Sequence, residues 1–187
     1  MNYKQRTYTL FSACGLNCGL CPRYQMSGKS KCPGCAGKDF LTVHPSCGVL
    51  SCSQRYGLEY CFQCEEYPCK KYDNADLWDS FITHKNQFID MEKAKININE
   101  YVVELDRKVE ILENLLANYD DGRTKSFYCI ATNLLDLGDI IYVLKQIEDE
   151  TKPNDTKKQK AAIAVHHFKC LAKKHNIELE LRKKQKS

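Results

Sequence analysis

Cysteine is concentrated in one segment of this chain, and that segment constrains the fold more than any other feature. Ten of the twelve cysteines lie between positions 14 and 69, and six of those ten form three Cys-x-x-Cys pairs. Two thiolates three positions apart on a tight turn can bind one metal ion, and two such pairs complete a tetrahedral four-sulfur site. The sequence therefore predicts metal binding by this segment. The ten candidate ligands are Cys14, Cys18, Cys21, Cys32, Cys35, Cys47, Cys52, Cys61, Cys64 and Cys69.

The cysteine-rich segment lacks hydrophobic periodicity and contains many glycine and proline residues, which predicts a loop-rich structure with a weak apolar core. Metal binding would supply the missing folding free energy, about 10 kcal/mol per structural site. Sequence order groups the ligands as Cys18, Cys21, Cys32 and Cys35, then Cys52, Cys61, Cys64 and Cys69. An interleaved pairing agrees equally well with the spacing. Cys14 and Cys47 are left over, and His44 is a spare candidate ligand.

Zinc is the metal we expect, at about two ions per chain with sulfur ligands. The first residues contain no apolar stretch typical of a signal peptide, which predicts a cytoplasmic protein whose paired cysteines bind metal instead of forming disulfides. Cysteines alone do not distinguish zinc from an iron–sulfur cluster, so an iron–sulfur or thiol redox protein is the alternative. The spacing Cys14-x-x-x-Cys18-x-x-Cys21 resembles that of radical S-adenosylmethionine enzymes. The chain lacks a Gly-Gly pair and the strand–helix alternation of their barrel, which disfavours that class.

Helical periodicity replaces the cysteines after Trp78. Apolar residues at spacings of three and four, followed by breaks at polar and glycine residues, predict four amphipathic helices. The predicted helices run from a cap at Asn97 or Asn99 to about residue 120, over residues 125–135, from Asp139 onward, and from a cap at Thr156 to about residue 175.

The alternation of Ile177, Leu179 and Leu181 predicts one final strand, and residues 7–11 are the candidate partner strand. We therefore expect an α-rich fold with minor β. It consists of a loop-rich, metal-stabilised cysteine module over residues 1–78, packed on a small helical bundle with a short C-terminal strand over residues 79–187. No stretch of the chain is long and apolar enough to predict a membrane span.

Two cysteines and two histidines in the helical part form a second candidate site. His166 and His167 precede Cys170 by four and three positions, so each can share a helix face with it, and Cys129 is a further candidate member. One hypothesis is a catalytic or metal-binding Cys/His cluster, and the other is a core cysteine beside one packed and one exposed histidine. If these residues only pack, Cys129 and Cys170 should both be buried. Free cysteine is among the most buried residue types, so we favour packing and expect no enzyme activity from these residues.

Charge is unevenly distributed along the chain, although the overall formal charge is only +4. Residues 150–187 contain eleven Lys or Arg against four Asp or Glu, which leaves 17 basic and 20 acidic residues elsewhere. Such a segment either forms a solvated helix face or contacts an acidic partner such as nucleic acid. We expect a macromolecular partner, with a protein favoured over a nucleic acid.

The segment Ala13-Cys14-Gly15-Leu16-Asn17-Cys18-Gly19-Leu20-Cys21-Pro22 resembles the opening of a prokaryotic cysteine-rich family, domain of unknown function 3795. The likeness continues through Cys32-Pro33-Gly34-Cys35 and Cys47-x-x-x-x-Cys52, and it ends at Cys61-Phe62-Gln63-Cys64-Glu65-Glu66-Tyr67-Pro68-Cys69. The helical part resembles an extension that some members carry. The resemblance implies a metal-binding cysteine module and no established reaction.

Overall fold

The computed structural model describes residues 3–184, and residues 1–2 and 185–187 of the predicted domains lie outside this range. The described chain is built from helices of two kinds. Its α-helices are α1 (Phe40–Val43), α2 (Gly48–Arg55), α3 (Gln87–Ile96), α4 (Ile98–Asn118), α5 (Lys125–Leu134), α6 (Leu137–Glu150) and α7 (Lys157–Lys174). Three 3-10 helices precede α3, at Cys18–Leu20, Cys61–Gln63 and Lys70–Tyr72.

The predicted α-rich class is confirmed, but the predicted minor β component is wrong, because residues 3–184 contain no strand. The side chains of residues 177–181 alternate between half-buried and exposed, which accounts for the alternation in the sequence. The segment does not pair with another strand in the described residues. The candidate partner, residues 7–11, bonds elsewhere. The Thr9 carbonyl accepts from the Cys35 N–H at 2.8 Å, and the Leu10 carbonyl accepts from the Gly19 N–H at 3.0 Å.

The described chain divides into two compact units. Unit 1 contains the residues up to Asp106 together with the C-terminal segment from Leu181, and unit 2 contains Arg107–Glu180. All ten cysteines of the cysteine-rich segment belong to unit 1, whereas Cys129 and Cys170 belong to unit 2. The predicted boundary after residue 78 concerns independent folding, and it stays a prediction.

Unit 1 has an aromatic and aliphatic core despite its loop content. Phe11 is fully buried, and its ring centre lies 5.5 Å from that of Tyr60 and 4.8 Å from that of Tyr101 on α4. Leu20 and Met91 are fully buried in the same unit. Burial of these apolar side chains stabilises the loops of unit 1.

Unit 2 is a helical assembly in which α7 packs on α5 and on α6. Phe168 of α7 is fully buried, and its ring centre lies 6.2 Å from that of Tyr128 on α5. Helix α7 begins with a capping box. The Gln159 N–H donates to the Thr156 hydroxyl at 3.3 Å, and the Thr156 N–H donates to the Gln159 side chain at 2.9 Å, which confirms the predicted cap. None of the helices in residues 3–184 is long and apolar enough to cross a membrane.

Candidate metal centre

Four cysteines surround one small cavity in unit 1, and we call them the second cysteine set. Cys52 comes from α2, Cys61 and Cys64 lie at the two ends of one 3-10 turn, and Cys69 directly precedes the next. All four line a cavity of about 30 Å³. A space of this size holds one ion or one or two water molecules and is too small for an organic substrate. These are the four residues that sequence order groups together.

Two of the Cys-x-x-Cys pairs have the same backbone conformation. The Cys21 N–H donates to the Cys18 carbonyl at 3.1 Å, and the Cys64 N–H donates to the Cys61 carbonyl at 3.0 Å. Residues three apart in a 3-10 turn project on the same side, so each turn presents its two sulfurs together. The Cys-x-x-Cys spacing thus corresponds to a tight turn in both the Cys18/Cys21 and the Cys61/Cys64 pair.

The other six cysteines of the segment come earlier in the chain, and we call them the first cysteine set. Cys18 packs against the buried cluster that contains Cys35, and its thiol interacts electrostatically with four others of the set. Cys47 joins through its interactions with Cys14 and Cys35. The members are Cys14, Cys18, Cys21, Cys32, Cys35 and Cys47. The two cysteines left over in the sequence grouping thus lie beside the four that were expected together.

Burial strongly affects the acidity of these thiols. It raises the pKa of Cys14 to about 12 and raises the pKa of Cys18 well above its ordinary value, and neighbouring thiols add to both shifts. Burial likewise raises the pKa of Cys21, Cys35 and Cys61. Thiols whose pKa values are raised in this way are protonated at neutral pH. A thiophilic cation that binds them must displace the protons, which makes binding pH-dependent.

The thiols are gathered but not yet at coordination distance. In the part of the chain that the structure describes, no group of three or more His, Cys, Asp or Glu side chains converges closely enough to hold a metal ion. Zinc–sulfur bonds are about 2.3 Å long, so the sulfurs of either set must move inward to bind. The donor chemistry fits a soft cation, because the second set offers four thiols around one cavity.

Helix α3 anchors the loop that carries the first cysteines. The Gln87 side-chain amide donates to the Cys14 carbonyl at 2.7 Å. Gly15 has a φ of +92°, and a Cβ placed there would lie 2.3 Å from Cγ of the buried Met91. Only glycine satisfies both the left-handed conformation and this close approach. The loop therefore depends on α3 for its position.

A buried polar triad adds a second anchor to the same loop. The Asn17 side-chain amide donates to Asp90 Oδ2 at 2.9 Å, and the Tyr101 hydroxyl donates to Asn17 Oδ1 at 2.8 Å. All three side chains are at least nine-tenths buried. Sequence analysis missed Asp90 and Tyr101, since they lie 73 and 84 positions from Asn17. The only available signal was an asparagine between two cysteines, which does not reveal its partners.

Tyr72 lies between the two cysteine sets. Its hydroxyl is 3.5 Å from the Cys14 carbonyl, and it also interacts with the Cys61 thiol. The side chain is buried, and its ring centre lies 5.2 Å from that of Tyr67.

His44, the spare candidate ligand, stacks on Phe40 with ring centres 4.4 Å apart.

The second candidate site of the helical part is only partly assembled. Cys170 is exposed, so the expectation of a buried thiol there is wrong, and its Sγ lies 3.6 Å from His166 Nε2. His167 turns to α6, where its Nε2 lies 2.7 Å from Glu150 Oε2. Cys129 is buried in α5, as expected for a packed cysteine. Since Cys170 sits on the outer face of α7 and Cys129 in the core, a shared Cys129–Cys170 site has no support.

Comparison with known proteins identifies the cysteine-rich segment. Residues 10–74 match the family model described as a protein of unknown function, DUF3795, and this confirms the resemblance inferred from the motifs. The matched range contains all ten cysteines of the first and second sets. No curated protein and no solved structure matches the chain.

Proposed function

We propose that this protein binds zinc through its two cysteine sets, at about two ions per chain, and that the metal is structural. Four sulfurs around an ion leave no open coordination position, and zinc without one does not activate water. The bound metal then orders the loops of unit 1, whose surface recognises another macromolecule. The proposal assigns no reaction to the cysteine sets.

The observation that carries the proposal is the arrangement of the second cysteine set. Four thiols from three separate backbone segments line one cavity of ion-like size, about 30 Å³. They would hold zinc after a small inward movement of their side chains. Two of them already share a turn that directs both sulfurs to one side.

The favoured partner is a protein. The basic C-terminal segment provides the argument for a nucleic acid, but two of its cations are engaged within unit 1. Arg182 Nη2 donates to Asp79 Oδ1 at 2.8 Å, and Lys184 Nζ lies 5.1 Å from the centre of the Trp78 ring. The Asp79 carboxylate offsets the charge of Arg182, so the segment offers less free positive charge than the sequence count suggests, which weakens the electrostatic case for phosphate backbone binding.

An iron–sulfur protein is the second candidate, and one observation favours it. The first cysteine set contains Cys14 and Cys47 in addition to the four thiols that one zinc ion needs. Additional thiols beside a metal site would suit a cluster or a reactive redox thiol. The same cysteines would then serve a redox function.

Elemental analysis of protein purified without oxygen tests these alternatives. We expect about two equivalents of zinc, because each set supplies at least four sulfurs. Cys64→Ser should remove about one equivalent, whereas Cys170→Ser, which changes an exposed thiol of unit 2, should leave the metal content unchanged. Stoichiometric iron instead of zinc would favour the iron–sulfur candidate over the zinc candidate. Total metal below about half an equivalent would refute metal binding altogether.

A further inference from the structure

Arg6 is a buried cation beside the first cysteine set. Its side chain is 3% exposed, and its Nε donates to Glu59 Oε1 at 2.8 Å. Its Nη1 donates to the Phe11 carbonyl at 2.8 Å, and its Cζ lies 4.8 Å from the centre of the Tyr60 ring. These contacts hold the guanidinium in one plane and one direction. The third nitrogen, Nη2, therefore has a fixed position.

The fixed Nη2 atom is buried without a hydrogen-bond partner. The Arg6 backbone N–H donates to the Ala36 carbonyl at 3.2 Å, which places Arg6 beside the neighbouring Cys35, and the buried Cys35 sulfur interacts electrostatically with the guanidinium. A neutral thiol is a weak acceptor, whereas a thiolate accepts strong charge-assisted hydrogen bonds from a guanidinium. A buried donor without an acceptor destabilises a protein, and a metal-bound sulfur at Cys35, which is a thiolate because metal binding displaces its proton, would give Nη2 the acceptor that it lacks.

Glu59 does not cancel the charge that Arg6 presents to Cys35. The Glu59 side chain is 47% exposed, so solvent and salt screen its charge. Arg6 faces Cys35 in the interior, where screening is weak. Much of the positive charge therefore acts on the cysteine side of the guanidinium.

The second cysteine set has a different electrostatic environment. Lys71 is the cation that lines its cavity, and this side chain is exposed. An exposed ammonium is strongly hydrated and contributes little to the stability of a buried anion. The two sets thus differ in whether a fixed, desolvated cation accompanies them.

We propose that Arg6 balances the charge of the first cysteine set and so strengthens metal binding there, but not at the second set. The inference rests on the proposed metal-binding function. A divalent ion neutralises only two of four thiolates, and the remaining negative charge must be offset by nearby donors. Arg6 acts as a positioning residue, because its guanidinium would hold the Cys35 thiolate and does not itself bind the metal.

Site-resolved alkylation of the zinc-loaded full chain tests this inference. A strong chelator is titrated, exposed thiols are alkylated with iodoacetamide, and mass spectrometry identifies each labelled cysteine. In Arg6→Met we expect the cysteines of the first set to become labelled at about 10–100-fold lower chelator concentration. The second set serves as the internal control and should be unchanged. Arg6→Lys keeps the charge, so its first set should become labelled at a chelator concentration between those of Arg6→Met and the wild type. Glu59→Gln keeps Arg6, so its first set should become labelled at the same concentration as in the wild type.

Each other outcome overturns the inference. Equal labelling of both sets in Arg6→Met would show a general loss of structure, and unchanged labelling would show that Arg6 does not affect binding. If the first set of Arg6→Lys is labelled as readily as that of Arg6→Met, the effect comes from packing of the arginine side chain. If the first set of Glu59→Gln is labelled as readily, the effect comes from the Arg6–Glu59 ion pair. If zinc protects neither set in the wild type, the proposed function itself fails. If zinc protects both sets and Arg6→Met changes neither, only the inference about Arg6 fails.

Discussion

Unit 1 and unit 2 both bury large apolar side chains, but they differ in what orders the backbone between those side chains. In unit 2 the helices α5 to α7 satisfy most backbone groups internally, and their apolar faces pack around Phe168. In unit 1 the loops bond to one another, as when the Cys61 N–H donates to the Ala13 carbonyl at 2.8 Å. As the structure describes them, the cysteine loops of unit 1 have no long helix of their own to order them, so a bound metal would add more to the stability of unit 1 than to that of unit 2.

Metal removal should separate the two units most strongly. Each structural zinc site contributes about 10 kcal/mol to folding, so a strong chelator should unfold the cysteine loops while residues 107–180 keep their helices. Hydrogen exchange monitored by mass spectrometry should show protection lost over residues 14–69. We expect the loss to extend into α3, because Gln87 and Met91 contact the Cys14 loop.

Treatment of the apoprotein with the same chelator provides the control and should change nothing. Simultaneous loss of protection in residues 107–180 would contradict the comparison, since it would show that both units unfold together.

Truncation of the core of unit 2 tests the other side of the comparison. Phe168→Ala should lower the free energy of unfolding by about 3–5 kcal/mol, through lost burial and a residual cavity. Phe168 is fully buried against Phe127 and Tyr128, and no cysteine of either set lies in unit 2. Urea unfolding followed by circular dichroism measures the loss, and elemental analysis should show unchanged metal content.

Tyr142→Ala is the matched control, because Tyr142 is 62% exposed and its loss should cost less than about 0.5 kcal/mol. Reduced metal content in Phe168→Ala would show that the two units are more strongly coupled than we infer.

A pair of glycine substitutions measures how much the cysteine loop depends on α3. Gly15→Ala forces an alanine into positive φ and against Met91, which should destabilise unit 1 by about 2–4 kcal/mol. Gly28→Ala shares the positive φ, at +89°, but its Cβ would meet no atom within 4 Å. It should cost about 1–2 kcal/mol, so the difference between the variants isolates the contact with α3.

Thermal unfolding of the zinc-loaded protein gives both values. Equal losses in the two variants would mean that the loop moves away from α3 without cost.

The contact between Asp79 and Arg182 provides a pH-dependent measure of unit 1. Burial alone would raise the pKa of Asp79, but hydrogen bonds from Arg182 and from the backbone N–H groups of Arg182 and His84 outweigh it and lower this pKa. A carboxyl whose pKa is lower in the folded than in the unfolded protein stabilises the fold at pH values above its unfolded pKa of about 3.9. This contribution disappears as the pH falls through the folded pKa.

Asp79→Asn should therefore lower the free energy of unfolding by about 1–2 kcal/mol at pH 7, with a smaller difference from the wild type below about pH 4. Urea titrations at several pH values measure this difference. A difference that is constant down to pH 3 would show that the carboxylate charge is unimportant.

The smallest expected effects concern the two cysteines of unit 2. Exposed Cys170 should react with iodoacetamide in the folded protein, while buried Cys129 should remain unlabelled. Cys129→Ala should cost about 1–2 kcal/mol through a small cavity, and Cys170→Ala should cost less. Neither substitution should alter metal content. Rapid labelling of Cys129 without unfolding would instead reveal access to the core of unit 2.

The sequence predicted the helices of unit 2 well, because each carries a strong period and a recognisable end. The helix predicted over residues 125–135 is α5 at Lys125–Leu134, and the helix predicted from Thr156 is α7 at Lys157–Lys174. Helix α3 was not predicted. Its buried face includes the polar Gln87 and Asp90, and these interrupt the apolar period.

The candidate metal centre was predictable in composition but not in surroundings. Cys-x-x-Cys spacing predicts candidate ligands, which stay a prediction, and it suggests a turn, which the structure shows at two pairs. The second set follows sequence order. Arg6, Asp90 and Tyr101 were missed because long-range partners depend on how the loops cross, which local spacing does not encode. The predicted C-terminal strand failed for the same reason, since Arg182 bonds to Asp79 and forms no ladder.

The Asp79–Arg182 contact makes unit 1 discontinuous along the polypeptide, since unit 2 is inserted between its two parts. During synthesis the chain emerges from its N-terminus, so every cysteine of both sets leaves the ribosome long before Arg182 does. The thiols are therefore available to metal while this contact is still missing. If the cysteine sets bind metal as proposed, they can do so before Arg182 attaches the C-terminal segment to Asp79, because Arg182 is synthesised after them.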